Sequence, residues 1–248
     1  MKAIAIDKKE KEMNLDRKIA RIAGTLFLIG TITGLLPTFF IGSHLDGPDY
    51  LTSISANGNQ IMLGALFALI AAFSSAGIAI SLYPVLKKYN EGLALGAVGF
   101  RLIEAVFYLV NIIALLALLL LSQEFVKAGS PGDSSFQLSG TLALAIYNWA
   151  NYVFGVSAFS LGALMYYVVF YQSRLIPRWL SGWGLLAATL SLATALLVMF
   201  GLKPLSPLMT VLIVPIFFQE IVLEGWLIFK GFNPSATASP KASPAGTR

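Results

Sequence analysis

The sequence predicts an all-α, polytopic membrane helical bundle of about six transmembrane helices, with both termini cytoplasmic. Three observations carry that prediction. Of 248 residues, 57% are hydrophobic and 12% charged, about half the charged share of a soluble domain. Mean hydropathy is +0.77, which leaves too little polar surface to cover a water-facing fold. The apolar residues also fall into six runs, each near or above the roughly 20 residues that cross a ~30 Å hydrocarbon core.

The runs are 19–41, 60–86, 93–122, 141–172, 180–201 and 208–230. Open backbone at membrane depth would leave its N–H and C=O groups without partners, so each run is expected to be helical. The first follows a doubly charged stretch, residues 1–18, and has no small-residue cleavage pattern after it, so it is expected to be a retained signal anchor. The third and fourth are long enough to tilt or protrude. Residues 19–231 thus form the transmembrane domain. Residues 232–248 are rich in Pro, Ser, Ala and Thr and are expected to be a disordered cytoplasmic tail.

Orientation follows from the cations. Lys2, Lys8, Lys9, Lys11, Arg17, Lys18 and Arg21 precede or open the first run. Lys87 and Lys88, then Arg174 and Arg178, fill alternate loops, and Lys230 closes the sixth run. The intervening loops hold Lys127 and Lys203 beside Asp46, Asp49, Glu124 and Asp133. The positive-inside rule puts the first set in the cytoplasm. The net charge of +5 is therefore a topogenic signal, and nucleic acid is not an expected partner. The lipid bilayer is the expected one, with a homo-oligomer as an open possibility.

Absent residue types exclude whole chemistries. There is no cysteine and one histidine, His44, so disulfides, thiolate metal sites and multi-histidine sites are excluded within one chain. His44 sits in SHLDGPDY with Asp46 and Asp49, more simply a loop residue than a metal ligand. The sequence has no phosphate-binding glycine loop, H-E-x-x-H motif or paired intramembrane aspartates. No metal and no cofactor are expected.

The polar residues inside the runs carry the remaining information. Arg101, Glu104, Tyr108 and Asn111 recur at spacings of three and four, which places them on one stripe about 80° wide. Asn148, Asn151 and Gly155 share a face of the fourth helix, flanked by Tyr147 and Tyr152. Gln219, Glu220 and Glu224 cluster on the sixth. At 1.5 Å per residue Arg101 lies about 12 Å deep, Glu224 about 9 Å, and Glu104 and Glu220 both about 15 Å. A charge at such depth costs at least about 2.5–3.5 kcal/mol on insertion scales and normally faces the bundle interior. The third and sixth helices are therefore expected to pack together, Arg101 bridging Glu224 and also reaching Glu104. One cation for three carboxylates leaves Glu220 or Glu104 to hold a proton.

Two smaller features concern packing. Gly30–Gly34 forms a G-x-x-x-G step, and Gly155 and Gly162 lighten the fourth helix; close helix approach is the expected role. Pro215 is expected to bend the sixth helix just outside its glutamates.

The segments RIAGTLFLIG, YPVLKKYNEGLALGAVGFRLIEA, IPRWLSGWGLLA and EGWLIFKG resemble a bacterial membrane family known as domain of unknown function 4386. The most specific piece is Gly96–Ala105, which holds Arg101 and Glu104. The resemblance spans nearly all of the region between Arg17 and Gly231. It implies a multi-pass protein of the bacterial plasma membrane and transfers no activity.

Three functional classes stand open, in order: a non-enzymatic membrane component with a buried Arg/Glu/Asn cluster, a small-solute or proton-coupled permease, and an intramembrane lipid-modifying enzyme. They differ in what should surround the cluster. A dry, packed interior fits the first class. A cavity reaching one membrane face fits the second, and an opening to lipid beside the carboxylates fits the third.

Overall fold

The computed structural model describes residues 2–129 and 134–237, with side chains described for 13–129 and 135–236. Among these residues the chain is helical throughout its ordered elements, with no strand. The helices are α1 (Lys2–Ile41), α2 (Tyr50–Ala56), α3 (Gly58–Leu86), α4 (Glu91–Lys127), α5 (Ser134–Asn148), α6 (Val156–Ser173), α7 (Arg178–Met199), α8 (Pro207–Phe229) and α9 (Pro234–Thr237). A 3₁₀ turn, Gly42–Leu45, follows α1. A π-helical segment, Trp149–Gly155, joins α5 to α6 into one long rod.

Six helical stretches are long and apolar enough to cross a membrane: Met13–Leu45, α3, α4, Ser135–Ser173, α7 and α8. Their number and order match the six runs. Large apolar side chains such as Phe39, Ile113, Leu186 and Val211 point outward and exposed, as expected of a surface whose solvent is lipid.

Local chemistry sets several boundaries. The Asn90 side chain accepts from Leu93 N–H to cap α4, and Ser206 accepts from Met209 N–H ahead of Pro207 at α8. Helix α1 begins far earlier than its apolar run because Lys, Glu, Met and Ala are strong helix formers, so the charged segment continues the rod. The loop between α1 and α3 holds an element its composition did not announce: α2, which buries Tyr50, Leu51 and Ile54 beneath the bundle's rim.

The spans close into a ring. Helix α1 packs on α3 and α8, α3 on α4, α4 on the α5–α6 rod, α6 on α7, and α7 on α8. The expected direct packing of the third span on the sixth is corrected here: among the described residues α4 and α8 are not packed neighbours but face each other across the ring.

The two ends of the ring differ. At the end where α8 finishes, an apolar core of Phe27, Leu82, Tyr166, Tyr167, Phe170 and Leu223 fills the interior. Below it, Lys88 Nζ lies 2.8 Å from buried Asp16. Tyr89 donates to the Ala236 carbonyl at 3.0 Å, and Asn233 N–H donates to Leu175 O at 2.8 Å. Phe232 is buried against Phe170. The tail expected to be disordered from residue 232 therefore starts as a packed clasp; residues 238–248 lie outside the described residues.

Candidate functional site

Opposite the closed end, the ring encloses a cavity of about 620 Å³. Its floor is the polar cluster near mid-span, and its far end is bounded by Asp46 after α1 and by Lys203, Pro204 and Leu205 after α7. Between α1 and α8 its wall includes Gly34, Leu35 and Thr38, which are also exposed on the outer surface. Leu205, at the mouth, holds the left-handed conformation (φ 59°) that a β-carbon disfavours.

Arg101 is the centre of the floor and is almost fully buried, at 3% exposure. Its Nη1 lies 3.1 Å from Glu104 Oε2 and donates to Ser75 Oγ at 3.1 Å. Its Nη2 donates to Tyr166 Oη at 2.9 Å and lies 3.6 Å from Glu220 Oε1. The guanidinium carbon sits 4.6 Å from the Phe159 ring centre, within cation–π range. Glu104 also accepts from Ser75 at 2.7 Å and from the Tyr108 hydroxyl. Gly162 makes this geometry possible: a β-carbon there would stand 3.3 Å from Arg101 Cγ and 3.5 Å from the Ala97 carbonyl.

The π-helical segment shapes the neighbouring wall. Widening the ladder by one residue per turn offsets Asn148 from Asn151 and turns both, with Tyr152, into the cavity. Gly155 ends it where a β-carbon would meet Ala150 O at 2.9 Å and Tyr108 at 3.3 Å. Asn111 donates to the Tyr147 carbonyl at 2.9 Å, fixing α4 to the rod at this level.

Seven of the nine residues singled out from sequence line the cavity: Arg101, Glu104, Tyr108, Asn111, Asn148, Asn151 and Glu220. Two do not. Gln219 is fully buried away from it, accepting from Tyr167 and donating to Leu180 O at 3.2 Å, so it ties α8 to α6 and α7. Glu224 accepts from Thr31 at 2.5 Å. This corrects the expected Arg101–Glu224 bridge, because Glu220, one turn nearer the middle, holds the position that the guanidinium reaches.

Gly30 and Gly34 also differ from expectation. A β-carbon on Gly30 would make an ordinary 3.5 Å contact with Ser74, and one on Gly34 would meet nothing within 4 Å. They border the cavity, while close approach of α1 to α8 falls to Gly24, 2.8 Å from Ile228 in the same sense. His44 clasps its loop, with Nδ1 3.0 Å from Ser53 Oγ and Nε2 3.1 Å from Gln60 Oε1.

The sequence reading missed Thr31, Ser75, Ser191 and Tyr166. Ser and Thr hydroxyls cost little in membrane helices because they can bond their own backbone, and a tyrosine in an apolar run reads as an aromatic core residue, so none of the four stands out. Arg101 and Ser191, which line the cavity, each hold one buried polar atom, Nε and Oγ, with no hydrogen-bond partner among the described residues.

The model of the family described as Domain of unknown function (DUF4386) matches residues 22–231. The chain belongs to this family. The matched span begins in α1 and ends after α8, so the ring, its cavity and every cavity-lining residue named above lie inside the DUF4386 region. No curated protein and no solved structure matches the chain.

Proposed function

We propose that this DUF4386 protein is a solute-binding membrane protein of the permease class. Its central cavity loads from the face opposite the termini, and its basic end lies in the cytoplasm of a bacterial cell. The observation that carries the reading is the cavity itself. Its volume of about 620 Å³ falls in the range of small-molecule sites, roughly 300–1,000 Å³.

The floor supports the reading. A register-fixing network would exclude space, whereas this cluster borders a cavity lined by the partly exposed Asn148, Asn151 and Glu220. The asymmetry of the ends supports it as well: an aromatic layer and the clasp close one side, and exposed loop residues border the other. Beside the carboxylates the α1–α8 seam is held by Thr31 and Glu224, which favours a solute site over chemistry on a lipid entering at that depth.

The natural sequence has no cysteine, so single cysteines report access cleanly. Asn148→Cys and Asn151→Cys, both at partly exposed cavity-lining positions, are expected in cells or oriented vesicles to react with a membrane-impermeant thiol reagent added on the external face. Ser160→Cys, fully buried and outside the cavity, is expected to stay unreactive. Equal protection of all three would show an interior closed to solutes and end the proposal.

A further inference from the structure

The charge inventory of the cavity floor names a ligand class. Arg101 is already engaged at both Nη atoms and lies near the faces of Phe159, Tyr166 and Phe27. It faces two carboxylates. Glu104 takes the closer pairing together with two hydroxyl donors, while Glu220 has the longer contact, 3.6 Å, and lines the cavity. The surplus of the floor is thus one negative charge, and it sits on the side chain nearest to open volume.

The groups facing Glu220 leave that count unchanged. Helix α4 presents Arg101, Glu104 and Tyr108, and α6 presents Tyr166 and Tyr167. On α8 itself the neighbour is Glu224, one turn toward the closed end and bonded to Thr31 of α1. Helices α3 and α7 contribute the hydroxyls Ser75 and Ser191 to the same cavity. Among the described residues no second cation acts on Glu220; Lys203 lines the cavity only at its far end, where Asp46 also lies. In a low-dielectric interior an uncompensated carboxylate is costly, so the neutral states carry either a proton or a cation at this place. The remaining wall is largely aromatic and aliphatic, with Phe159, Ile213 and Phe217 around the floor.

We propose that the cavity takes a monovalent organic cation with an apolar body, its charge placed against Glu220 in exchange for one proton. The inference rests on the solute-binding reading above. Binding breaks the Glu220 O–H bond, releases that proton to water and forms a carboxylate–cation pair, so the charge of the floor is conserved. Cation and proton compete for one carboxylate, and in the competing range affinity falls by up to about tenfold for each pH unit lowered.

The probes are tetraphenylphosphonium and tetraphenylborate, which share shape and differ in sign, titrated by calorimetry into the full-length protein in nanodiscs. Empty nanodiscs give the lipid baseline. The cation is expected to bind with release of about one proton, seen as heat that depends on the buffer's ionisation enthalpy, and the anion is expected not to bind. Glu220→Gln is expected to weaken the cation by about tenfold or more and to abolish proton release, whereas the surface variant Glu124→Gln is expected to keep both.

Equal binding of the anion, cation binding without proton release, or an unchanged Glu220→Gln would each overturn the proposal. Should Glu220→Gln fail to fold, proton release by the unaltered protein still decides. If neither ion binds while Asn148→Cys still reacts from outside, the cation assignment fails and the solute cavity stands. If that cysteine is also protected, both readings fall.

Discussion

A guanidinium 3.1 Å from Glu104 and 3.6 Å from Glu220, with Phe159 near its face, has exchanged water for protein partners at both Nη atoms, while Nε has none among the described residues. Deleting it strands a buried carboxylate, which typically costs about 3–5 kcal/mol, whereas neutralising one carboxylate leaves the guanidinium another. Arg101→Met is therefore expected to lower the thermal midpoint in detergent sharply, and Glu104→Gln much less. Equal midpoints would show that the ion pair adds nothing net. Gly162→Leu is expected to cost about 1–3 kcal/mol by pushing α4 off α6, read in the same assay. The R-x-x-E spacing made Arg101 and Glu104 legible, because three residues on a helix is nearly one turn. The choice of Glu220 over Glu224 was not legible: both lie on one face, and a difference of one turn in helix register decides between them.

At the scale of elements, the π-helical segment is the least legible feature and one of the most consequential. WANYVFG holds no proline and its one glycine closes the segment, so nothing in it announces a π-helical turn, yet the added residue changes the offset between Asn148 and Asn151. Deleting Trp149, whose side chain faces outward, is expected to restore an α ladder and turn Asn148 by about 100°. Asn148→Cys in that background should lose its external labelling while Asn151→Cys keeps its own; unchanged labelling would assign the segment no positioning role.

The clasp at the closed end is also an element-scale device. Burial, and then the Asp16 carboxylate, push the Tyr89 phenol up to about 12. The folded protein holds this proton more tightly than the unfolded chain, so the stability linked to it is complete below the ordinary phenol range. It is lost as pH rises toward about 12. Protection of the Asn233 and Ala236 amides, taken relative to the base-catalysed intrinsic rate at each pH, should hold near neutral pH and fall as pH approaches about 12, and Tyr89→Phe should lower it at every pH.

For the whole molecule, an even number of spans places both termini at one end, and a reporter fused after Arg248 is expected to read cytoplasmic. Periplasmic activity would reverse the orientation of cavity and clasp together. The sequence by itself determined the class of fold and the six spans, and it set an expected sidedness and depth for the charges. These depend on quantities summed along one chain: hydropathy, run length, loop charge and rise per residue. Only the tertiary structure decided which helices are neighbours, that α4 and α8 face each other across open volume, and that Gln219 and Glu224 serve the packing while Glu220 serves the cavity. A lipid-facing and a bundle-facing apolar residue look alike in sequence, because lipid tails are as apolar as leucine. Helix order around a ring leaves little trace in hydropathy, and it is that order which leaves one carboxylate in surplus beside a cavity.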